Sequence, residues 1–188
     1  MSSIKIYEYT TGAANADVTD LDSLIFRSTD ALSTNQDLSV GPIKAPITGT
    51  SRSFEKILRI HIDWDVADTD KISNIQALTS FNGVLDFTGV AFSGGLAENF
   101  TDPVETDSAI ATESLQLKNG VNPFLLTTPD EKYGLAAPQN DEHVQVDDLG
   151  AVGSYLYLQM DVLPSVTLGD FHESYGAFSL VIRYDVES

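Results

Sequence analysis

Period-two alternation of apolar and polar residues runs through this chain from end to end, and it leaves room for little except β-sheet. Its clearest instance is Phe54 to Trp64, where Leu58, Ile60, Ile62 and Trp64 fall on one face and Arg59, His61 and Asp63 on the other. Side chains of a strand point alternately to its two faces, so this pattern predicts one buried and one solvated face. Tyr155 to Val162 repeats it, setting Leu156, Leu158, Met160 and Val162 against Tyr155, Tyr157, Gln159 and Asp161. In Phe178 to Val186, residues Phe178, Leu180, Ile182, Tyr184 and Val186 alternate with Ser179, Val181, Arg183 and Asp185. Near the start, Ile4, Ile6 and Glu8 share one face of a strand and Tyr7 and Tyr9 the other. The apolar spacing of an amphipathic helix is nowhere sustained.

Turn chemistry divides these strands. Ser23 to Ser28 reads as a short strand after an Asp-rich turn at Asp17 to Asp22. Asn82-Gly83 and Asn119-Gly120 suit type I′ hairpins, whose two central residues need positive φ. Their arms are Ile72–Ser80 with Val84–Phe92, and Ala109–Lys118 with Val121–Thr127. Thr29 to Gly49, with Pro42 and Pro46, reads as loop or edge, because proline removes a ladder donor. Pro129 to Gly153 reads as a second long loop, with room for one helical turn at Asp141 to Val146. The expected fold is therefore all-β: an antiparallel two-sheet sandwich of about eight or nine strands, with jelly-roll or Greek-key crossovers. Leu58, Ile60, Ile62, Leu156, Leu158, Met160, Leu180 and Ile182 are its expected core.

At 188 residues and 42% apolar content, the chain suits a single domain spanning 1–188. Its longest purely apolar stretches, such as Phe124-Leu125-Leu126, fall far short of a membrane span. Met1-Ser2-Ser3-Ile4-Lys5 lacks the basic and apolar regions of a signal peptide, so synthesis in the cytoplasm without export is expected. Cysteine is absent, which excludes disulfides, thiolate metal sites and cysteine nucleophiles. The net charge of −18 repels phosphates and anionic lipid, so neither nucleic acid nor membrane is an expected partner. The ten Lys and Arg residues form no cluster that could track a phosphate backbone. Such acidity keeps a surface solvated, and it also suits a salty medium.

Motifs that carry chemistry are missing. His61, His143 and His172 lie far apart and show no metal-ligand spacing. Asp63, Asp65, Asp68 and Asp70 could offer oxygen ligands to Ca²⁺, but the segment lacks the glycine and distal glutamate of a calcium loop. A solvated acidic turn is the expected reading there. The chain has no nucleophile elbow and no phosphate-cradling glycine loop; Gly94-Gly95 and Gly150-Ala151-Val152-Gly153 read as turn glycines. No catalytic residue, cofactor site or metal site is therefore expected. Tyr155 and Tyr157 oppose the leucines of their strand, which makes them the expected exposed aromatic pair and a candidate protein contact.

Several stretches together resemble a family of small virion structural proteins from tailed bacteriophages and related archaeal viruses. They are Ile6-Tyr7-Glu8-Tyr9, Ile25-Phe26-Arg27-Ser28-Thr29-Asp30, and Asn35-Gln36-Asp37 leading to Pro42 and Pro46. Ser53-Phe54-Glu55-Lys56-Ile57-Leu58-Arg59, Tyr155 to Val162, and the ending Arg183-Tyr184-Asp185 complete the pattern. The resemblance implies a capsid decoration or cement protein, with a jelly-roll-like sandwich bound in many copies to the major capsid protein on the capsid exterior. It implies no catalytic residues, and it suits a homo-oligomer such as a trimer. Terminal strands and long loops can reach neighbouring subunits without disturbing a core, so Tyr7, Tyr9, Pro42, Pro46, Tyr155 and Tyr157 are the candidate interface. A tail or neck position, and a host-glycan-binding sandwich, are the alternatives, with an enzyme behind both.

Overall fold

The computed structural model describes residues 3–21, 24–63, 71–82, 89–114, 155–166 and 177–187. They form nine strands: β1 (Ser3–Tyr9), β2 (Asn15–Asp17), β3 (Ser51–Arg52), β4 (Lys56–Asp63), β5 (Lys71–Asn82), β6 (Val90–Ala97), β7 (Glu113–Ser114), β8 (Tyr155–Val162) and β9 (Ala177–Glu187). Among the described residues the sole helical element is a single 3-10 turn at Thr11–Ala13. Every ladder is antiparallel. The fold is thus all-β, as the alternation predicts, and the strand at Tyr155–Val162 begins and ends where the sequence places it.

Seven strands make one sheet in the order β2-β1-β4-β8-β6-β7, with β3 also on β8; β5 and β9 make a separate two-stranded sheet. Of the first expected hairpin, Gly83 and the second arm from Val84 to Thr88 lie outside the described residues, and the first arm lies in β5. That strand pairs with β9, from Lys71↔Glu187 to Asn82↔Ala177, while β6 pairs with β8 and β7. Of the second expected hairpin, Ala109 to Ser114 are described, and among them Glu113 and Ser114 pair with Gly94 and Ser93 of β6. The remaining residues of that hairpin, and the long loop expected at 129–153, lie outside the described residues. Leu24 to Arg27 does not form the expected strand. Its backbone bonds go elsewhere: Ile25 N–H donates to Ser33 Oγ, and Arg27 C=O accepts from Phe54 N–H.

Register assigns the two faces of the large sheet. Tyr9 sits opposite Ile57, Ile57 opposite Tyr157, and Tyr157 opposite Gly95, which defines a tyrosine face. Glu8 opposite Leu58, Leu58 opposite Leu156, and Leu156 opposite Leu96 define a leucine face. Between β3 and β4 the register slips. Arg52 faces Asp161 and Lys56 faces Leu158, so Ser53, Phe54 and Glu55 oppose only Gln159 and Met160. This extra residue is a β-bulge, and it inverts the facing of the strand beyond it. Lys56 thereby joins the leucine face, and Ile57 the tyrosine face.

Alternation predicts one solvated face, and here the structure differs. Leu58, Leu156 and Leu158 are buried as expected and Met160 is half-buried, yet Tyr9, Ile57, Tyr155 and Tyr157 are buried too. The side chains of Ile60, Ile62, Leu180 and Ile182 lie outside the described residues. Irregular chain covers both faces. Phe100, Ile110 and Ala111 pack on the tyrosine face, where Tyr9 and Tyr155 meet edge-on with ring centroids 5.4 Å apart. On the leucine face Phe26 meets Phe92 at 5.5 Å, and Ala31 and Ser33 bond to Lys56 and Glu8. The 3-10 turn joins the two covers: Thr11 N–H donates to Asp30, and Gly12 N–H to Asp102, each at 2.8 Å.

Candidate functional site

The long connection from Thr29 to Gly49 contains no strand, in keeping with its prolines, yet it is tightly tied. One residue does most of the tying. Arg27 is 1% exposed, and its Nη1 donates to the carbonyls of Asp37 and Val40 at 2.6 Å each. Its Nη2 donates to the carbonyl of Asn35. A guanidinium is a rigid fork of donors, so one side chain closes a loop that has no ladder of its own. Ser28 adds two bonds, its N–H to Gly41 C=O at 2.8 Å and its hydroxyl to Pro42 C=O at 3.3 Å. Asp37 turns the backbone by accepting from both N–H and Oγ of Ser39, bonds that hold its carboxyl below the usual range. Gly41 has φ of +58°, and a Cβ there would strike the Thr29 side chain.

Among the exposed residues of this connection are two large apolar ones. Ile47 is 96% exposed and Leu38 73%, well above Val104 and Leu163, the other exposed large apolar side chains among the described residues. Pro42 and Lys44 are exposed beside them and Pro46 is half-buried.

The four tyrosines of the expected interface are placed differently. Tyr9, Tyr155 and Tyr157 are buried and Tyr7 packs half-buried against the same cluster. The reason lies in their hydroxyls, which find partners inside. Tyr157 Oη accepts from Thr101 N–H at 2.7 Å and donates to Thr101 C=O at 3.0 Å. Tyr155 Oη accepts from Arg59 Nη1 at 2.7 Å, and the guanidinium also lies over its ring, 4.3 Å from the centroid. Burial raises the phenol pKa of Tyr9 and Tyr157, which keeps both neutral. The first strand is likewise no free arm: β1 runs between β2 and β4. Of the six interface candidates Pro42 is exposed, Pro46 and Tyr7 are half-buried, and the other three tyrosines are buried.

Sequence reasoning missed the polar groups that hold the covers down. Gln159 Nε2 bonds the carbonyls of Ser53, Val104 and Thr106, while its Oε1 accepts from Ser108 N–H. Glu55, aimed by the bulge, accepts from Val104 N–H at 3.1 Å and from Ser108 Oγ. Ser108 Oγ in turn accepts from the N–H groups of Ile110 and Ala111. With its donor and both lone pairs engaged, and no imidazole in the group, this serine is a tether and not a nucleophile. A signal existed in the single polar residues set among apolar neighbours, such as Gln159 between Leu158 and Met160.

Burial raises the Glu55 pKa above the usual carboxylate value, against the opposing pull of Ser108 and Val104. A raised folded-state pKa means that the folded protein binds the proton more tightly than the unfolded chain. Stability from this group is therefore full below the unfolded pKa of about 4.3 and is lost as pH rises through the folded value. Glu55→Gln removes the titration. The melting temperature of the native protein minus that of the variant should fall as pH is raised from about 4 to 7. A difference that is flat or rises with pH contradicts this account.

Among the described residues, no group of three or more His, Asp or Glu side chains converges to hold a metal ion. Asp65, Asp68, Asp70, His143 and His172 lie outside the described residues, as do the side chains of His61 and Asp63. No helix among the described residues is long and apolar enough to cross a membrane. Comparison with protein-family models, with curated proteins and with solved structures finds no match to this chain.

Proposed function

We propose that this chain is a structural protein of a virus particle, decorating or cementing the capsid by binding the major capsid protein. In this reading its two sheets belong to a jelly-roll-like sandwich, it sits on the capsid exterior in many copies, and it touches neither genome nor membrane. The observation that carries the reading is the connection from Thr29 to Gly49: it exposes Leu38 and Ile47 on an acidic all-β body, and a buried arginine ties down its residues 35–40. A preordered loop loses little conformational freedom on docking, so modest contacts suffice for binding. Repetition over a lattice then makes weak contacts strong together.

Several of the stretches that carry the sequence resemblance touch one another in the fold. Arg27 clasps Asn35 and Asp37, its carbonyl takes Phe54 N–H, and Ser53 bonds Met160 on β8. Stretches far apart in sequence thus form one connected unit. The alternative of a glycan-binding module rested on exposed tyrosines, and the burial of Tyr155 and Tyr157 removes that platform.

The test adds purified full-length protein to capsids of the cognate virus assembled without it. Expected are saturable uptake at a fixed copy number and greater resistance of the shell to heat or osmotic shock. Failure of uptake on expanded capsids across a range of salt would move the protein to a tail or neck position.

A further inference from the structure

The charge of the chain is not spread evenly. Residues 38–54 are its longest stretch without Asp or Glu, although it carries 28 acidic residues. The same stretch holds two bases, Lys44 and Arg52. Arg52 is committed to Asp161 and Asp107 on its own surface. Lys44 is exposed and has no ion-pair partner among the described residues. An acid-free run, this lysine and Ile47, the most exposed large apolar side chain among the described residues, therefore coincide on the connection whose earlier part Arg27 ties down at Asn35, Asp37 and Val40.

We infer that this loop docks into a protein surface that offers an apolar socket for Ile47 and a carboxylate for Lys44. The inference rests on the proposed function and names the surface and the chemistry it requires. A basic partner would be drawn to the carboxylate-rich remainder of the molecule, not to the stretch that lacks carboxylates. A second copy would offer no apolar socket among the described residues and would bring together two bodies that each carry −18. A partner with an acidic rim meets neither objection: it is repelled elsewhere and admitted here. Like-charge repulsion then acts as the device that fixes orientation. Pro42 and Pro46 each lock a φ angle, which keeps the tip extended without a ladder.

Ile47→Asp should weaken capsid uptake at least tenfold, and Lys44→Glu should do so at low salt with the difference shrinking as salt is raised. Both positions are exposed, so melting temperature should not move, and Thr112→Asp, an exposed position beside β7 at the end of the sheet beyond β6, should bind as the native protein does. Undiminished uptake by both loop variants overturns the inference while leaving the capsid role in place. Dimers of the native protein that dissolve on Ile47→Asp would make a second copy the occupant, and also overturn it. A second measurement stands apart from capsid uptake. Particles that contain the chain are treated with a carbodiimide, which joins amines to carboxylates in contact. Expected is Lys44 linked to an Asp or Glu of another protein. If native protein fails to bind capsids, that link to a tail or neck component upholds the surface, and intermolecular links that all avoid residues 38–54 refute it.

Discussion

Replacing Lys56 with Met should destabilise the protein by about 3–5 kcal/mol, a large share of the total stability of a domain. Lys56 is 3% exposed and Glu8 is fully buried, on the leucine face of the sheet. Glu8 stands opposite Leu58, so Lys56 is its diagonal neighbour across the β1–β4 ladder. The ammonium lies 2.6 Å from Glu8 Oε1 and donates to Ala31 C=O at 2.6 Å. The other carboxylate oxygen accepts from Ser33 N–H at 2.8 Å. Met fills similar volume, so the loss is electrostatic: a carboxylate is left in the interior without its counter-charge.

The companion variant separates that penalty from the worth of the pair. Glu8→Gln combined with Lys56→Met removes both charges, and the amide can still accept from Ser33 N–H. Buried ion pairs are costly to desolvate, so neutral replacement of both should recover at least half of the single-variant loss. Urea unfolding of the four proteins of this cycle gives the coupling. A single Lys56→Met variant within about 1 kcal/mol of the native protein would mean that water reaches this pair and the cover is loose.

Glu8 and Lys56 also mark where sequence stops being legible. That Glu8 shares a face with Ile4 and Ile6 follows from strand geometry alone, and register agrees. That the face is buried, with a cation to match, depends on Lys56, 48 residues away, and on the bulge that turns it inward. The tyrosine face misled for a related reason. Tyr, Gln and Arg are amphipathic, and alternation with leucine looks the same whether they meet water or a covering segment. Only Thr101, Ser108 and Val104 decide the matter, and no local pattern ties them to Tyr157, Gln159 and Glu55. The loop at Thr29 to Gly49 was legible as loop from its prolines. That Asn35, Asp37 and Val40 are tied together was not legible, because that hangs on a single arginine within a run that looks like a strand.

The second large effect lies at Gly95. This residue sits opposite Tyr157 in the β6–β8 ladder, on the face that residues 98–112 cover. A Cβ there would overlap the carbonyl oxygen of Ile110 and lie 2.7 Å from its carbon. Those are backbone atoms, and Ile110 N–H and Ala111 N–H are both tied to Ser108 Oγ, at 3.0 and 2.7 Å. The covering segment cannot step aside without breaking that tether and baring the carboxylate of Glu55. Gly95→Ala should therefore cost about 3 kcal/mol, at the upper end for overpacking, and lower the melting temperature by roughly 6–12 °C. Gly49→Ala is the matched control. It carries φ of +76° with nothing within 4 Å of the added atom, so only left-handed backbone strain of about 1 kcal/mol applies. Hydrogen exchange locates the damage: in the Gly95 variant the amides of Thr101, Val104, Ser108 and Ala111 should lose protection together, while those of β1 and β4 keep theirs. A Gly95→Ala protein that melts with the native one would show that residues 98–112 do not rest on this sheet.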